Sequence, residues 1–169
     1  MSDIQIYVAC LASYNAGQLH GVWIDARQNS DAINAEIFQM LANSPVHDAE
    51  EWAIHDNSGF CGVEISEYAG LDYIIELAEF IEEYQELGAE LINYFDSLEY
   101  VKTALSDYYN GEWDSEKDFS ENLFNEINLD SIPENLKFYI DYEKFNRDIF
   151  ICDYVSIPVR GKVHVFQQF

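Results

Sequence analysis

"IQIYVACLA", residues 4–12, and "GVWIDA", residues 21–26, decide the class of fold. The first run is apolar, aromatic and β-branched, and reads as a strand. Between the two lies "YNAGQLHG", 14–21, whose Asn15, Gly17 and Gly21 are turn chemistry. The second run then returns as the partner strand of a hairpin. Working outward, Ser30 is placed to cap a helix over 31–41, with Ile33, Ile37, Phe38 and Leu41 on one face. Pro45 ends that element. "EWAIHD", 51–56, alternates as a third strand, and "NSGFCG", 57–62, is a glycine-bounded break. Antiparallel strands with a helix, followed by a long helical period, make an α+β chain.

That period starts at 71. Tyr73, Leu77, Phe80, Tyr84, Leu87 and Leu91 recur at intervals of four and three, with Gly88 as the expected kink. "LEYVKTALSDYY", 98–109, continues as a helix that Asn110-Gly111 breaks. Residues 114–125 repeat helically, and Pro133 suits the first turn of a further helix running to about residue 147. "IFICDYVSIPV" and "KVHVFQQF" read as strands joined by Arg160-Gly161. The expected organisation is three small modules: an N-terminal antiparallel sheet with a helix (1–62), an acidic helical middle (63–104) and a C-terminal α+β part (105–169).

Composition limits the function classes. The 169 residues carry 32 acids against 8 bases, a net charge of −24. Phe and Tyr together number 23, far too many for a disordered acidic tail. A chain this acidic costs stability through self-repulsion, and its charge opposes direct binding to nucleic acid or anionic membrane. It favours a basic partner or bound cations. Cys10, Cys61 and Cys152 are scattered and contain no C-x-x-C spacing, so neither a disulfide framework nor a zinc site is expected. The start lacks a basic region followed by a long apolar run, and no apolar run approaches the ~20 residues that span a bilayer. A soluble, reduced, cytoplasmic protein is expected.

The charge is concentrated. "ELAEFIEEYQELGAE", 76–90, holds six glutamates and no cation, although like charges three or four apart destabilise a helix. Asp72, Glu76, Glu79, Glu83, Glu86 and Glu90 are spaced 4, 3, 4, 3, 4, which keeps them within about 80° of one another on a helix. Their axial spacing, roughly 5 Å, approaches the ~3.4 Å between phosphates of one DNA strand, and Glu82 and Glu99 add to the density. Between Arg27 and Lys102 the chain has 17 acids and no Lys or Arg. Such asymmetry is a partner signal. A solvated helix face and adaptation to high salt are the bland alternatives, the latter favouring a uniform coat over one stretch.

Other chemistry has weaker support. "HDAEEWAIH", with His47, Glu50, Glu51 and His55, does not match H-E-x-x-H, and no P-loop, G-x-S-x-G or G-x-G-x-x-G occurs. "DSEKDFSE", 114–121, lacks the glycine and ligand order of an EF-hand loop. No enzyme activity, metal or cofactor is expected.

Several stretches together carry a resemblance. "IYVACLASYNAGQLHGVWIDA" (6–26), "EEWAIHDNSGF" (50–60), "YYNGEWDSEKDF" (108–119) and "FYIDYEKFNRDIF" (138–150) resemble the ArdA antirestriction family. The resemblance covers essentially the whole chain. It implies a protein of mobile genetic elements that inhibits type I restriction–modification enzymes by mimicking bent B-form DNA in the DNA-binding groove of the methyltransferase core. It also implies an elongated homodimer joined through its C-terminal module. The expected phosphate-mimicking residues are Asp72, Glu76, Glu79, Glu82, Glu83, Glu86, Glu90, Asp96 and Glu99. The alternative is an acidic chaperone or sequestrant of another basic DNA-binding protein.

Overall fold

The computed structural model describes residues 3–128 and 132–168, without the side chain of residue 128. It is an α+β chain that divides into two compact units, Met1–Ala89 and Glu90–Phe169. The dividing point lies inside the stretch read from sequence as the acidic helical middle.

In the first unit, β1 (Gln5–Cys10) pairs antiparallel with β2 (Gly21–Asp25) on one side and β3 (Trp52–Ser58) on the other. The expected hairpin forms, but its connection is not only a turn. Residues 11–15 close a short helix, α1 (Leu11–Asn15), where the Sγ of Cys10 accepts the Ser13 N–H at 3.5 Å. The strand therefore stops two residues earlier than the apolar run, because nothing in "CLA" distinguishes a strand end from a helix start. Alternation sorts the sheet: Ile6, Val8 and Ile24 are fully buried, whereas Tyr7 and Trp23 share the opposite face. The register shift in β3 between Tyr7 and Val8 leaves His55 as the extra residue of a bulge.

Helix α2 (Ser30–Ala42) is capped by Asn29, whose Oδ1 accepts the Ala32 N–H at 2.9 Å. Ser30, the expected cap, is its first helical residue. Ile33, Ile37 and Leu41 are buried as read, but Phe38 is exposed and Met40 takes the core position.

The helical segment α3 (Leu71–Phe95) is broken at Gln85, where φ is 50° and ψ −128°. Gly88, the expected kink, has another task. A Cβ there would lie 2.9 Å from the Phe80 ring and 3.0 Å from Cβ of Tyr84, so the missing side chain lets that stacked aromatic pair pack against the backbone. Left-handed conformation costs a non-glycine residue roughly 1–2 kcal/mol. Glycine would remove that strain, less its own entropy cost of roughly 0.5–1 kcal/mol. Gln85→Gly should therefore raise stability by up to about 1 kcal/mol, a melting-temperature gain of a few degrees. A lower melting temperature would show that the Gln85 side chain itself holds the break.

The second unit is built on the sheet β4-β6-β5, with β4 (Tyr109–Trp113), β5 (Tyr154–Val159) and β6 (Lys162–Gln167) all antiparallel. The helix expected over 98–109 is shorter: α4 (Leu98–Thr103), capped by Ser97, passes into one wider helical turn over 104–108 and then into β4. Asn110-Gly111 lies within that strand, where the pairing register slips and Gly111 takes φ +97°. Helix α5 (Glu116–Asn128) follows as expected. The helix expected from Pro133 is two pieces: a 3-10 stretch over Glu134–Tyr139, then α6 (Tyr142–Cys152), capped by Asp141. Residues 149–152, read as strand, complete α6. Phe119, Ile149 and Val165 form the core, with Trp113, Leu123, Phe145, Phe150 and Tyr154 packed around them. Arg160-Gly161 joins β5 to β6 with both residues at positive φ, the two-residue hairpin turn.

On the other face of β6, His164 is buried. Its Nδ1 lies 2.7 Å from the Tyr109 hydroxyl and its Nε2 3.7 Å from Glu112. Burial holds the imidazole below its usual range, opposed by Glu112. The unfolded chain takes up a proton near pH 6.5 and the folded chain only at lower pH, so this contribution is complete above that value and is lost as pH falls through it. The stability difference between wild type and His164→Gln should accordingly shrink between pH 7.5 and 5.5, as followed by urea unfolding. A constant difference would contradict a neutral buried histidine.

Candidate functional site

Before the break, α3 is two-faced. Ile74, Leu77, Ala78, Phe80 and Ile81 are buried; Asp72, Glu76, Glu79, Glu82 and Glu83 are exposed. At 100° per residue, Asp72, Glu76, Glu79 and Glu83 fall within about 60° of one another, opposite the centre of the buried set. The apolar face is rotated from the one read in sequence: Tyr73, expected inside, is 40% exposed, and Ile74, Ala78 and Ile81 replace it. Burying each large aliphatic side chain contributes about 1.5–3 kcal/mol, which fixes the helix with its carboxylates outward despite their repulsion.

The spacing of six acids on one straight helix does not survive the break at Gln85. Glu86 and Glu90 come after it, both exposed. In the second unit, Asp96 follows the end of α3 with φ 54° and donates its N–H to the Ile92 carbonyl at 2.8 Å, closing the helix C-terminus. Glu99 is exposed in the first turn of α4, where the helix dipole favours an anion. All nine carboxylates are thus on the surface: Asp72, Glu76, Glu79, Glu82, Glu83 and Glu86 in the first unit, and Glu90, Asp96 and Glu99 in the second.

Glu82 and Glu83 have partners that sequence reading missed. Arg27 donates from Nη1 to Glu82 at 3.1 Å and from Nη2 to Asp25 at 2.8 Å, with Nε also on Asp25 at 2.9 Å. These bonds hold the Asp25 carboxyl below its usual range and raise the guanidinium's affinity for its proton. The single base of the first 101 residues therefore ties the β2–α2 connection to α3. Glu83 hydrogen-bonds the Tyr84 phenol and raises it above the ordinary tyrosine range. Sequence distance hid the Arg27–Glu82 pair; 55 residues separate them.

Two open clefts lie elsewhere on the first unit. His55 lies 3.6 Å from Glu67 beside an open cleft of about 410 Å³ lined by Tyr14, Ile54 and Ile65. His20 contacts the Met40 carbonyl at 2.7 Å by a second cleft of about 290 Å³. Among the described residues, no three His, Cys, Asp or Glu side chains converge as a metal site requires, and no helix is long and apolar enough to cross a membrane.

A family model described as antirestriction protein (ArdA) matches residues 6–163. No curated protein matches the chain.

Proposed function

The chain belongs to the ArdA antirestriction family, and from that premise we propose that it inhibits type I restriction–modification enzymes by presenting surface carboxylates as B-form DNA presents phosphates. The observation that carries this reading is the α3 face on which Asp72, Glu76, Glu79 and Glu83 stand exposed, opposite a fully apolar one. Lysines interleaved there would stabilise the helix but spoil an imitation of DNA. The protein offers a basic groove fixed anions, without bases to read or a phosphodiester to cut. Glu82 and Glu86 add to the anionic surface of the first unit, and Glu90, Asp96 and Glu99 supply exposed carboxylates on the second. Glu82 contributes less than its neighbours because Arg27 shares its charge.

The reading includes three functional modules, 1–62, 63–104 and 105–169, and a homodimer formed by the last, acting in the cytoplasm on a target encountered by mobile elements. Phe138 and Tyr139 are 92% and 84% exposed, with Leu136, Ile127 and Ile151 also on the surface of that module. Apolar exposure on this scale supports an interface. Calorimetric titration of the purified methyltransferase core with this protein tests the function. Saturable binding with one dimer per DNA site, weakening as salt rises, is expected. Absence of binding at low salt would overturn the reading.

A further inference from the structure

The outer face of the first unit's sheet carries an aromatic pair that the acidic helix does not explain. Tyr7 and Trp23 are directly opposed across β1 and β2, with ring centroids 5.4 Å apart. Trp23 is 42% exposed, high for the largest apolar side chain in a small domain. The sheet is shaped around the pair. A Cβ on Gly21 would fall 2.7 Å from the Tyr7 ring and 2.5 Å from the Val8 carbonyl, so only glycine lets Tyr7 lie across β2 beside the indole. Asp56, exposed, opposes Tyr7 from β3, and Asp25 follows Trp23 on the same face of β2, about 7 Å along the strand.

We propose that this face is a second docking surface, which takes an arginine-bearing segment of the basic protein partner by stacking a guanidinium on Trp23, while Asp56, on the far side of Tyr7, adds charge attraction for the segment. Three observations select that occupant. A guanidinium is planar and stacks on indole while keeping its charge, whereas an ammonium acts as a point charge. A second copy of this unit is a poor occupant: residues 1–89 contain sixteen acids and one base, and that base, Arg27, is already held by Asp25 and Glu82. The same repulsion turns away nucleic acid and anionic lipid. Finally, the face is continuous with the carboxylate surface, because Arg27 bridges Asp25 at its edge to Glu82 on α3. A partner engaging the α3 acids meets the aromatic pair at their border. Naming the partner as the restriction enzyme rests on the preceding reading; the stacking itself does not.

The test separates the two. In the full-length protein, the Trp23 indole N–H resonance is followed by NMR while tetra-arginine and then tetra-lysine amides are titrated in at equal salt. The expected result is a saturable shift with arginine, several-fold weaker with lysine, and lost in Trp23→Leu. An unmoved indole, or equal response to both peptides, would overturn the proposal whether or not the enzyme binds. In calorimetry with the methyltransferase core, Trp23→Leu should weaken binding about tenfold, and Trp23→Phe less, in proteins that are folded at the assay temperature. If Trp23→Leu does not fold, Trp23→Phe and the peptide titration decide. Wild-type affinity in a folded Trp23→Leu would reduce the pair to a cross-strand contact stabilising the sheet.

Discussion

Replacing Asp72, Glu76, Glu79 and Glu83 together by lysine should abolish inhibition while leaving the fold intact. Each reversal removes an attraction to a basic groove and adds a repulsion. The lost attractions alone, ~1 kcal/mol for a unit charge about 4 Å away in water, come to roughly 4 kcal/mol over four sites, on the order of a thousandfold in Kd, and the added repulsions increase the effect. The fold survives because these side chains are exposed and the buried face of α3 is untouched. Reversal leaves the four side chains repelling one another as before, but sets the new cations beside the remaining acids of α3 and lowers the chain's net negative charge. Single substitutions should have small effects, since surface ion pairs contribute at most ~1 kcal/mol each. The matched comparison reverses Asp107, Glu126, Glu143 and Asp153, all exposed, for the same change in net charge. It should retain most of the inhibition. Equal loss in both variants would mean that net charge, and not the arrangement on α3, does the work, as in a general sequestrant of basic proteins.

The largest effect on stability is expected at Gly59. It sits at the end of β3 with φ +83°, and a Cβ there would lie 2.4 Å from the Asp3 carbonyl oxygen and 2.9 Å from Cα of Ile4. The obstacle is backbone, which cannot swing aside as a side-chain tip can. Gly59→Ala combines left-handed strain of about 1–2 kcal/mol with overpacking of about 1–3 kcal/mol. A total near 3 kcal/mol is a large part of a typical domain's ~5–15 kcal/mol. The neighbours make it worse, since Ile4 and Phe60 are both core residues and must shift with the backbone. Thermal unfolding should show a fall in melting temperature of roughly 6–12 °C. A melting temperature within a degree of wild type would show that the β1–β3 end adapts freely.

Much of this was legible in the sequence, and the failures have common causes. The apolar, aromatic and β-branched composition of 4–12 and the turn before 21–26 assigned β1 and β2 correctly, and the Tyr7–Trp23 face was present there too, since both residues stand out of phase with Ile6, Val8 and Ile24. Exposure of the nine carboxylates followed from charge alone, because burying an unpaired carboxylate is prohibitive. The break at Gln85 was invisible. Glutamine has no preference for left-handed backbone, and the nearby Gly88 was the stronger local signal although its role is steric. Asn110-Gly111 misled for the opposite reason: Gly111 does take a positive φ, but inside a bulged strand instead of at a helix end. Helix limits slipped wherever a cap lay one residue away from the obvious one, as Asn29 did beside Ser30. Long-range partners such as Arg27 and Glu82 leave no trace in a local pattern.

Displacement of DNA tests the central claim most directly. A type I methyltransferase core is bound to a fluorescent duplex containing its recognition site, and this protein is titrated in at several salt concentrations. The account predicts stoichiometric release of the duplex, weakening as salt rises, with no binding of the protein to the duplex alone. A ternary complex in which the enzyme holds both the duplex and this protein, or an undisturbed duplex at every salt concentration, would contradict occupation of the groove.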